Sequence, residues 1–488
     1  MTATRPNTPI ANEGHFQSHY IPSTVDEQSE MLSALGIDNI DQLFADIPVE
    51  FRNPHLDLPA PLSELEIQQE LGRMASKNRA MGSGPSFLGA GSYNHFIPSI
   101  IKSLITRGEF ITAYTPYQAE ASQGTLQVIY EFQTLICNLY GMEVANAGMY
   151  DGATSLAEAA LMACRVTKRE KVALADSISP AYIDVIRTYC QSQDIAVEIV
   201  DPSNPALGEE TACLVLQYPN YFGYIEDLEA LVDATHVQGA LAVVSCDPTA
   251  MGMLQTPGHY GADIVTGDGQ PLGIPVSYGG PYVGLFATKQ EYIRQMPSRL
   301  SGRTIDKNGK TGYVLTLQTR EQHIRRERAT SNICTNEALY ALASTIYMAA
   351  MGKQGMKQVA ELCYHKSHYA AAQIASLPGY SLPIDKPFFQ EFVVQCPSSP
   401  TDINKKLIDL NILGGLDVSE KIPDGMLLCV TEMNSKDDID ALVAALSELN
   451  NAARWKPPNR KTHVGTKRSR PCRCCTSQSR RSRPTSAQ

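Results

Sequence analysis

Two short stretches gather side chains able to bind a polar ligand or move a proton. FLGAGSYNHFIPS (87–99) sets Tyr93 and His95 in a glycine-rich turn, and AYTPYQAEASQG (113–124) sets Tyr114, Tyr117 and Gln123 in a polar loop. Each loop opens a helix, the first near Pro98, a residue favoured in a first turn. Tyrosines serve as often in cores and interfaces as in sites, but their grouping on two helix-opening loops favours a site lining. A third stretch, MYDGATSLAEA, runs from a tight turn into a helix at Gly152, Thr154 and Ser155. Backbone amides at such a start can cradle a phosphate; an ordinary Asp–Gly turn with an N-cap gives the same sequence. A fourth, ATSNICTN (329–336), places Thr330, Asn332 and Thr335 before a long apolar helix. It follows a charge-rich run, Thr319 to Arg328, that also reads as a solvated face.

The elements that must position these groups are legible as an alternation. VALADSI, VEIVD, CLVLQYP, LAVVSCD, ADIVTGD and VGLFAT are short apolar runs separated by helical or loop segments. Continuous apolar strands between helices predict a mostly parallel sheet covered on both faces. Ligands in such sheets sit beyond the C-terminal strand ends, here marked by Ser177, Asn220, Asp247 and Gln270. Between Lys171 and Lys289 there is no lysine at all. An amine nucleophile is therefore missing from the loop GADIVTGDGQPLGIPVSYGG, where a strand-end anchor is expected.

Before this sheet, residues 1–85 read as a helical arm, with Thr24 and Glu27 as a capping box and Gly36 as the stop. Residues 86–335 make the large α/β domain. Residues 336–451 make a smaller α+β domain, with strands at FFQEFVVQC and MLLCVTE. Residues 452–488 are a basic tail too poor in apolar residues to fold. The tail carries roughly eleven basic residues and no acidic one, which leaves the body with about 30 basic against 51 acidic. So acidic a body does not suit nucleic acid. No apolar run approaches the roughly 18 to 20 residues of a membrane helix, and the start lacks the apolar core of a secretory signal. Nine scattered cysteines between Cys137 and Cys429 suit reduced, buried thiols. The expected compartment is the cytoplasm, and no metal site is expected.

GDGQPLG misses the G-x-G-x-x-G spacing by one residue, and no Walker, HExxH or GxSxG motif occurs. A positional frame fits better. In aspartate-aminotransferase-like pyridoxal phosphate (PLP) enzymes, of fold type I, a helix-start phosphate cup precedes a strand-end Asp, and the cofactor lysine follows a strand later. Gly152, Thr154 and Ser155 match the cup, Asp247 the acid, and Gln270 falls near the place of the lysine.

The stretches FLGAGSYNHFIPS, YTPYQAEASQGTLQ, LQYPNYFGYIEDL, GADIVTGDGQPLGIPVSYGGPYVG and TREQHIRRERATSNICTNEAL resemble the glycine dehydrogenase (decarboxylating) family, in its subunit 1 (alpha) branch. This family is the P-protein of the glycine cleavage system, and the resemblance covers about residues 16–450. It implies a subunit, expected in an alpha2beta2 assembly, whose beta partner holds PLP on a lysine. The pair would decarboxylate glycine and pass the aminomethyl group to the lipoyl group of H-protein. In this chain it implies a vestigial cofactor pocket at Gly152, Thr154, Ser155, Asp247 and Gln270. Tyr93, His95, Tyr114, Tyr117, Gln123, Thr330, Asn332 and Thr335 become candidates for facing the partner's site. Ser179 stands where the family pattern has His, and Ser298 where it has Gly; Ser298 is strained if its position needs positive φ. Two other readings stay open: a self-sufficient PLP enzyme using a different lysine, such as Lys289, and a non-catalytic scaffold.

Overall fold

The computed structural model describes residues 23–454, apart from 53, 55, 56, 60, 61, 79, 81, 82, 112–114, 334 and 335. Tyr114, Thr335 and the basic tail from 455 onward lie outside the described residues.

The first compact unit ends at Arg79. Helix α1 (Val25–Leu35) starts at Thr24, whose side chain accepts from the Glu27 amide while Glu27 reaches back to the Thr24 amide. It stops at Gly36, where φ is +70°. Helix α2 (Glu64–Ala75) repeats the device with Ser63 and Glu66. Neither helix buries a residue.

The second unit begins at Ala80. After α3 (Ser99–Ile105) and α4 (Gly108–Ile111), helix α5 (Gln123–Tyr140) buries Leu126, Ile129, Phe132 and Ile136 of the apolar face set by its helical spacing, with Leu139 of that face half-buried. Strand β1 (Val144–Ala145) leads to α6 (Gly152–Thr167), followed by β2 (Lys171–Ala175), α7 (Pro180–Gln191), β3 (Ala196–Val200) and β4 (Thr211–Tyr218). Then come α8 (Leu228–Val237), β5 (Leu241–Cys246), β6 (Ile264–Asp268) and β7 (Gly284–Thr288). These strands form one sheet in the order β1-β7-β6-β5-β4-β2-β3. Neighbours from β3 to β6 are parallel, and β7 runs antiparallel to both β6 and β1. Each apolar run read as a strand is one. Because β2, β4, β5 and β6 are parallel, Ser179, Gln217, Asp247 and Gln270 all emerge at one edge.

A hairpin of β8 (Leu300–Ile305) and β9 (Thr311–Thr316) and the short α9 (Gln322–Arg325) lead to α10 (Ala338–Ala375), broken at Gly352 where φ is +58°. The first part of α10 joins the main core through Ala341 and Tyr347, and its last turns join a second core through Ala370 and Ile374. That second core lies under an antiparallel sheet of β10 (Glu391–Gln395), β12 (Gly425–Cys429) and β11 (Leu416–Asp417), with α11 (Pro400–Asp409) and α12 (Lys436–Arg454). Among the described residues no helix is long and apolar enough to cross a membrane, and eight cysteines are free thiols.

Ser298 is buried with φ +63°, and its hydroxyl donates to the Gly148 carbonyl at 2.8 Å. Left-handed backbone costs a serine about 1 kcal/mol, and one hydrogen bond contributes a similar amount. Ser298→Gly is therefore expected to leave stability within about 1 kcal/mol of the parent. Ser298→Ala, which keeps the strain and loses the bond, is expected to lower it by about 1 to 2 kcal/mol, as read by urea unfolding.

Candidate functional site

The strand ends, the Tyr93 turn and the residues leading into β10 enclose a cavity of about 50 Å³, room for a few water-sized groups. Its lining includes Tyr93, Ser179, Tyr182, Gln217, Asp247, Asp268, Gln390 and Glu391. Asp268 ends β6 at the N-terminus of α6: its Oδ2 accepts from the Gly152 amide at 3.0 Å and its Oδ1 from the Gln270 amide at 2.9 Å. Burial, the main cause, pushes its carboxyl up to about 7.

Further donors at this helix start are also taken. Asp151 accepts from the Thr154 amide at 2.8 Å, and the Thr154 and Ser155 hydroxyls both donate to the Asp151 carbonyl. A Cβ added at Gly152 would fall 2.4 Å from the Tyr182 hydroxyl. Two amides that suit a phosphate are thus turned onto the chain's own carboxylates, and the two hydroxyls onto a backbone carbonyl.

Asp247, one residue past β5, accepts from the Thr249 amide at 2.8 Å and from Gln390 Nε2 at 2.9 Å. Burial raises its carboxyl above the usual range, and the charge of His95 opposes the rise. Gln270 is 1% exposed. Its Nε2 donates to the carbonyls of Tyr93 and Ile274 at 2.9 and 2.8 Å, and its Oε1 accepts from the Tyr93 amide at 2.8 Å. The amide side chain is fully used as a clamp between the Tyr93 turn and the loop after β6.

Tyr93 completes this clamp by donating its hydroxyl to Glu391 Oε2 at 2.8 Å, and the Ala90 amide meets Glu391 Oε1 at 2.6 Å. Glu391 is 5% exposed, and burial raises its carboxyl to about 7. His95 is buried beside Glu432, with Nδ1 2.7 Å from Oε2, and its Nε2 has no hydrogen-bond partner. For Glu432 the opposing effect of burial is outweighed by the His95 contact and the Phe96 amide, which together hold its carboxyl below the usual range.

The other candidates lie apart from this cavity. Gln123 opens α5 and pairs with both backbone groups of Tyr313 on β9, at 2.8 and 2.9 Å. Tyr117 is 54% exposed, packs edge-on against His323, and receives a hydrogen bond from Arg299 at 3.0 Å. Thr330 donates its amide to the Arg320 carbonyl, and Asn332 is exposed. The charge-rich run is not wholly solvated, since Glu321 is buried against Arg299 at 3.3 Å.

Sequence reasoning passed over Glu391, Gln390, Asp268 as a helix-start acid, and Glu432. A signal existed for the first: a lone carboxylate inside the apolar run FFQEFVVQC. Both lysines that bracket the sheet lie at its opposite edge. Lys171 begins β2 and pairs with Glu198 and Glu210, while Lys289 follows the antiparallel β7 and pairs with Asp263.

Residues 18–446 match the family model of the glycine cleavage system P-protein. The chain belongs to the glycine cleavage system P-protein family. Within that family it is 51% identical over 443 residues to a probable glycine dehydrogenase (decarboxylating) subunit 1 of Thermomicrobium roseum, covering 88% of this chain and 99% of that one. It is 50% identical over 444 residues to a protein of the same description from Desulfitobacterium hafniense, covering 88% and 100%. A crystal structure of a glycine decarboxylase P-protein in inhibitor-bound form matches with TM-score 0.84 and 42% identity, over 88% of this chain and 99% of that one. A sphingosine-1-phosphate lyase of Burkholderia pseudomallei, 15% identical with TM-score 0.59 over 82% and 93%, shares the fold alone. This P-protein chain thus has the aspartate-aminotransferase-like architecture, PLP fold type I.

Proposed function

We propose that this chain is the lysine-free half of a two-chain glycine dehydrogenase (decarboxylating). In this reading a homologous beta subunit holds PLP on its lysine, in a cytoplasmic alpha2beta2 enzyme. The enzyme decarboxylates glycine and hands the aminomethyl group to the lipoyl group of H-protein. The observation that carries the proposal is Gln270: an amide stands near the expected strand-end place of the lysine, with both ends hydrogen-bonded to the chain.

The residues of this pocket do not fit PLP. Asp268 and Asp151 take the Gly152 and Thr154 amides, so a phosphate dianion at this helix start would meet like charge. Among the described residues no lysine lines the cavity. Lys289, the alternative anchor, sits at the far edge of the sheet.

What remains to this chain is to present a surface and hold its loops. Tyr117, although held by Arg299 and His323, and Asn332 are exposed. Tyr93 and His95 instead fix the turn that carries them, through Glu391 and Glu432. The first unit also exposes Leu35, Phe51 and Leu58, apolar surface of the kind a partner chain covers.

Borohydride reduction of the purified chain with added PLP, followed by peptide mapping, tests the proposal. No modified lysine is expected. Release of CO2 from glycine is expected only after a lysine-bearing homologous subunit is added. A labelled lysine in this chain, with turnover by the chain alone, would make it a self-sufficient enzyme. Full turnover by the lysine-bearing subunit alone would leave this chain no part in the reaction.

A further inference from the structure

We infer that the pocket of this chain binds a compact N–H cation, ammonium or a small alkylammonium, where its fold relatives hold a cofactor. The inference rests on the reading that no cofactor sits here.

Among the described residues, three carboxylates, Asp247, Asp268 and Glu391, line this cavity, and its lining holds no lysine, arginine or histidine. Each carboxylate receives only neutral donors. These are the Thr249 amide and Gln390 Nε2 at Asp247, the Gly152 and Gln270 amides at Asp268, and the Ala90 amide and Tyr93 hydroxyl at Glu391. Neutral hydrogen bonds satisfy lone pairs without cancelling charge, and like charges withdrawn from water raise one another's energy. His95, whose charge favours ionised Asp247, is tied through Nδ1 to Glu432 and does not line the cavity.

A second observation points the same way. Gln390 lines this cavity and is 2% exposed; its Nε2 is spent on Asp247, and its Oε1 has no hydrogen-bond partner. A buried amide oxygen left without a donor is a cost that a bound group with N–H or O–H would remove.

The chemistry narrows the class of ligand. Phosphates and amino-acid carboxylates are repelled by three acidic side chains, which excludes the glycine zwitterion. A magnesium-like ion demands octahedral oxygen ligands and strips its waters reluctantly, whereas every carboxylate oxygen here already accepts an N–H or O–H. Each oxygen keeps a second lone pair, and these together with Gln390 Oε1 suit a group that donates several N–H bonds and carries one positive charge. Ammonium and methylammonium bring three or four N–H donors on one positive charge, whereas a quaternary ammonium has no N–H to give.

Thermal unfolding of the full-length chain at pH 8, in sodium buffer of constant ionic strength, tests this. The salts are ammonium, methylammonium, potassium and tetramethylammonium chloride. A saturable rise in Tm is expected with ammonium and methylammonium and not with tetramethylammonium. In Glu391→Gln, and separately in Asp247→Asn, the midpoint concentration is expected to rise at least fivefold, with far-UV circular dichroism confirming the fold. An equal response to all four salts would reduce the effect to ionic strength. A potassium response equal to that of ammonium would remove the requirement for N–H donors. An unchanged ammonium response in both folded variants would move the binding elsewhere. A visible absorption band from bound PLP in the same samples would overturn the cofactor reading; a flat ammonium response without that band would overturn the cation site alone.

Discussion

Replacing Glu391 by Gln is expected to make the chain more stable than its parent at pH 8, by roughly 3 kcal/mol, and no more stable at pH 4. The sign follows from the raised carboxyl. Below about 4.5 it is protonated in both the folded and the unfolded chain, so its burial costs nothing extra. Between that value and about 7 it ionises only on unfolding, so stability falls as pH rises through this window. Above about 7 the folded chain holds an ionised carboxylate where burial opposes it. Gln keeps the bond from the Ala90 amide on its Oε1 and turns an Nε2–H toward the Tyr93 hydroxyl, which then accepts. Urea unfolding across pH 4 to 8, in buffers free of amines, reads the gap. A gap that does not widen with pH would mean that Glu391 stays ionised throughout.

Gln270→Ala is expected to act in the opposite direction and at every pH. It removes three hydrogen bonds made by a side chain 1% exposed. The Tyr93 amide and two carbonyls lose their partner, and a cavity the size of the lost amide opens. Unsatisfied buried groups cost about 1 to 3 kcal/mol each, so a loss of about 3 kcal/mol or more is expected. Gln270→Lys does not rescue it, because an ammonium cannot accept from the Tyr93 amide. Hydrogen exchange at Tyr93 separates this local effect from general loosening: its amide should exchange much faster while β4 amides keep their relative protection. A loss below about 1 kcal/mol would show that the turn is held without the clamp.

The fold was legible because its strands are apolar throughout and its helices are punctuated. β4 and β5 are buried along almost their whole length, and no helix pattern fits runs as short as CLVLQY and LAVVSC. Thr24 with Glu27, and Gly36, did at α1 what such residues do in any helix. Asp247 and Gln270 were legible because a parallel strand fixes which edge its last residue reaches. The partners of these residues were not. Glu391 and Glu432 come from 298 and 337 positions beyond Tyr93 and His95, and nothing in local spacing announces a contact across such a distance. The helix start of α6 illustrates a different gap. Its sequence suits a phosphate cup, and only the approach of Asp268 from β6 shows which acceptor its amides meet. Gln123 likewise sits in a loop rich in polar groups, and its pairing with β9 depends on where the hairpin falls.

The ties between the 86–97 segment and the smaller sheet bear on how the molecule can move. Tyr93 to Glu391, His95 to Glu432, the Asn94 carbonyl to Thr431 and the Ser86 carbonyl to Asn434 form a row of latches from this segment to β10 and the turn after β12, and Asp247 to Gln390 adds one from the end of β5. Hinge closure needs such contacts to break and remake at small cost, and partly buried polar pairs resist that. This part of the chain is therefore built as a rigid buttress, and a hinge movement between the segment and the smaller sheet would have to break several of these contacts at once.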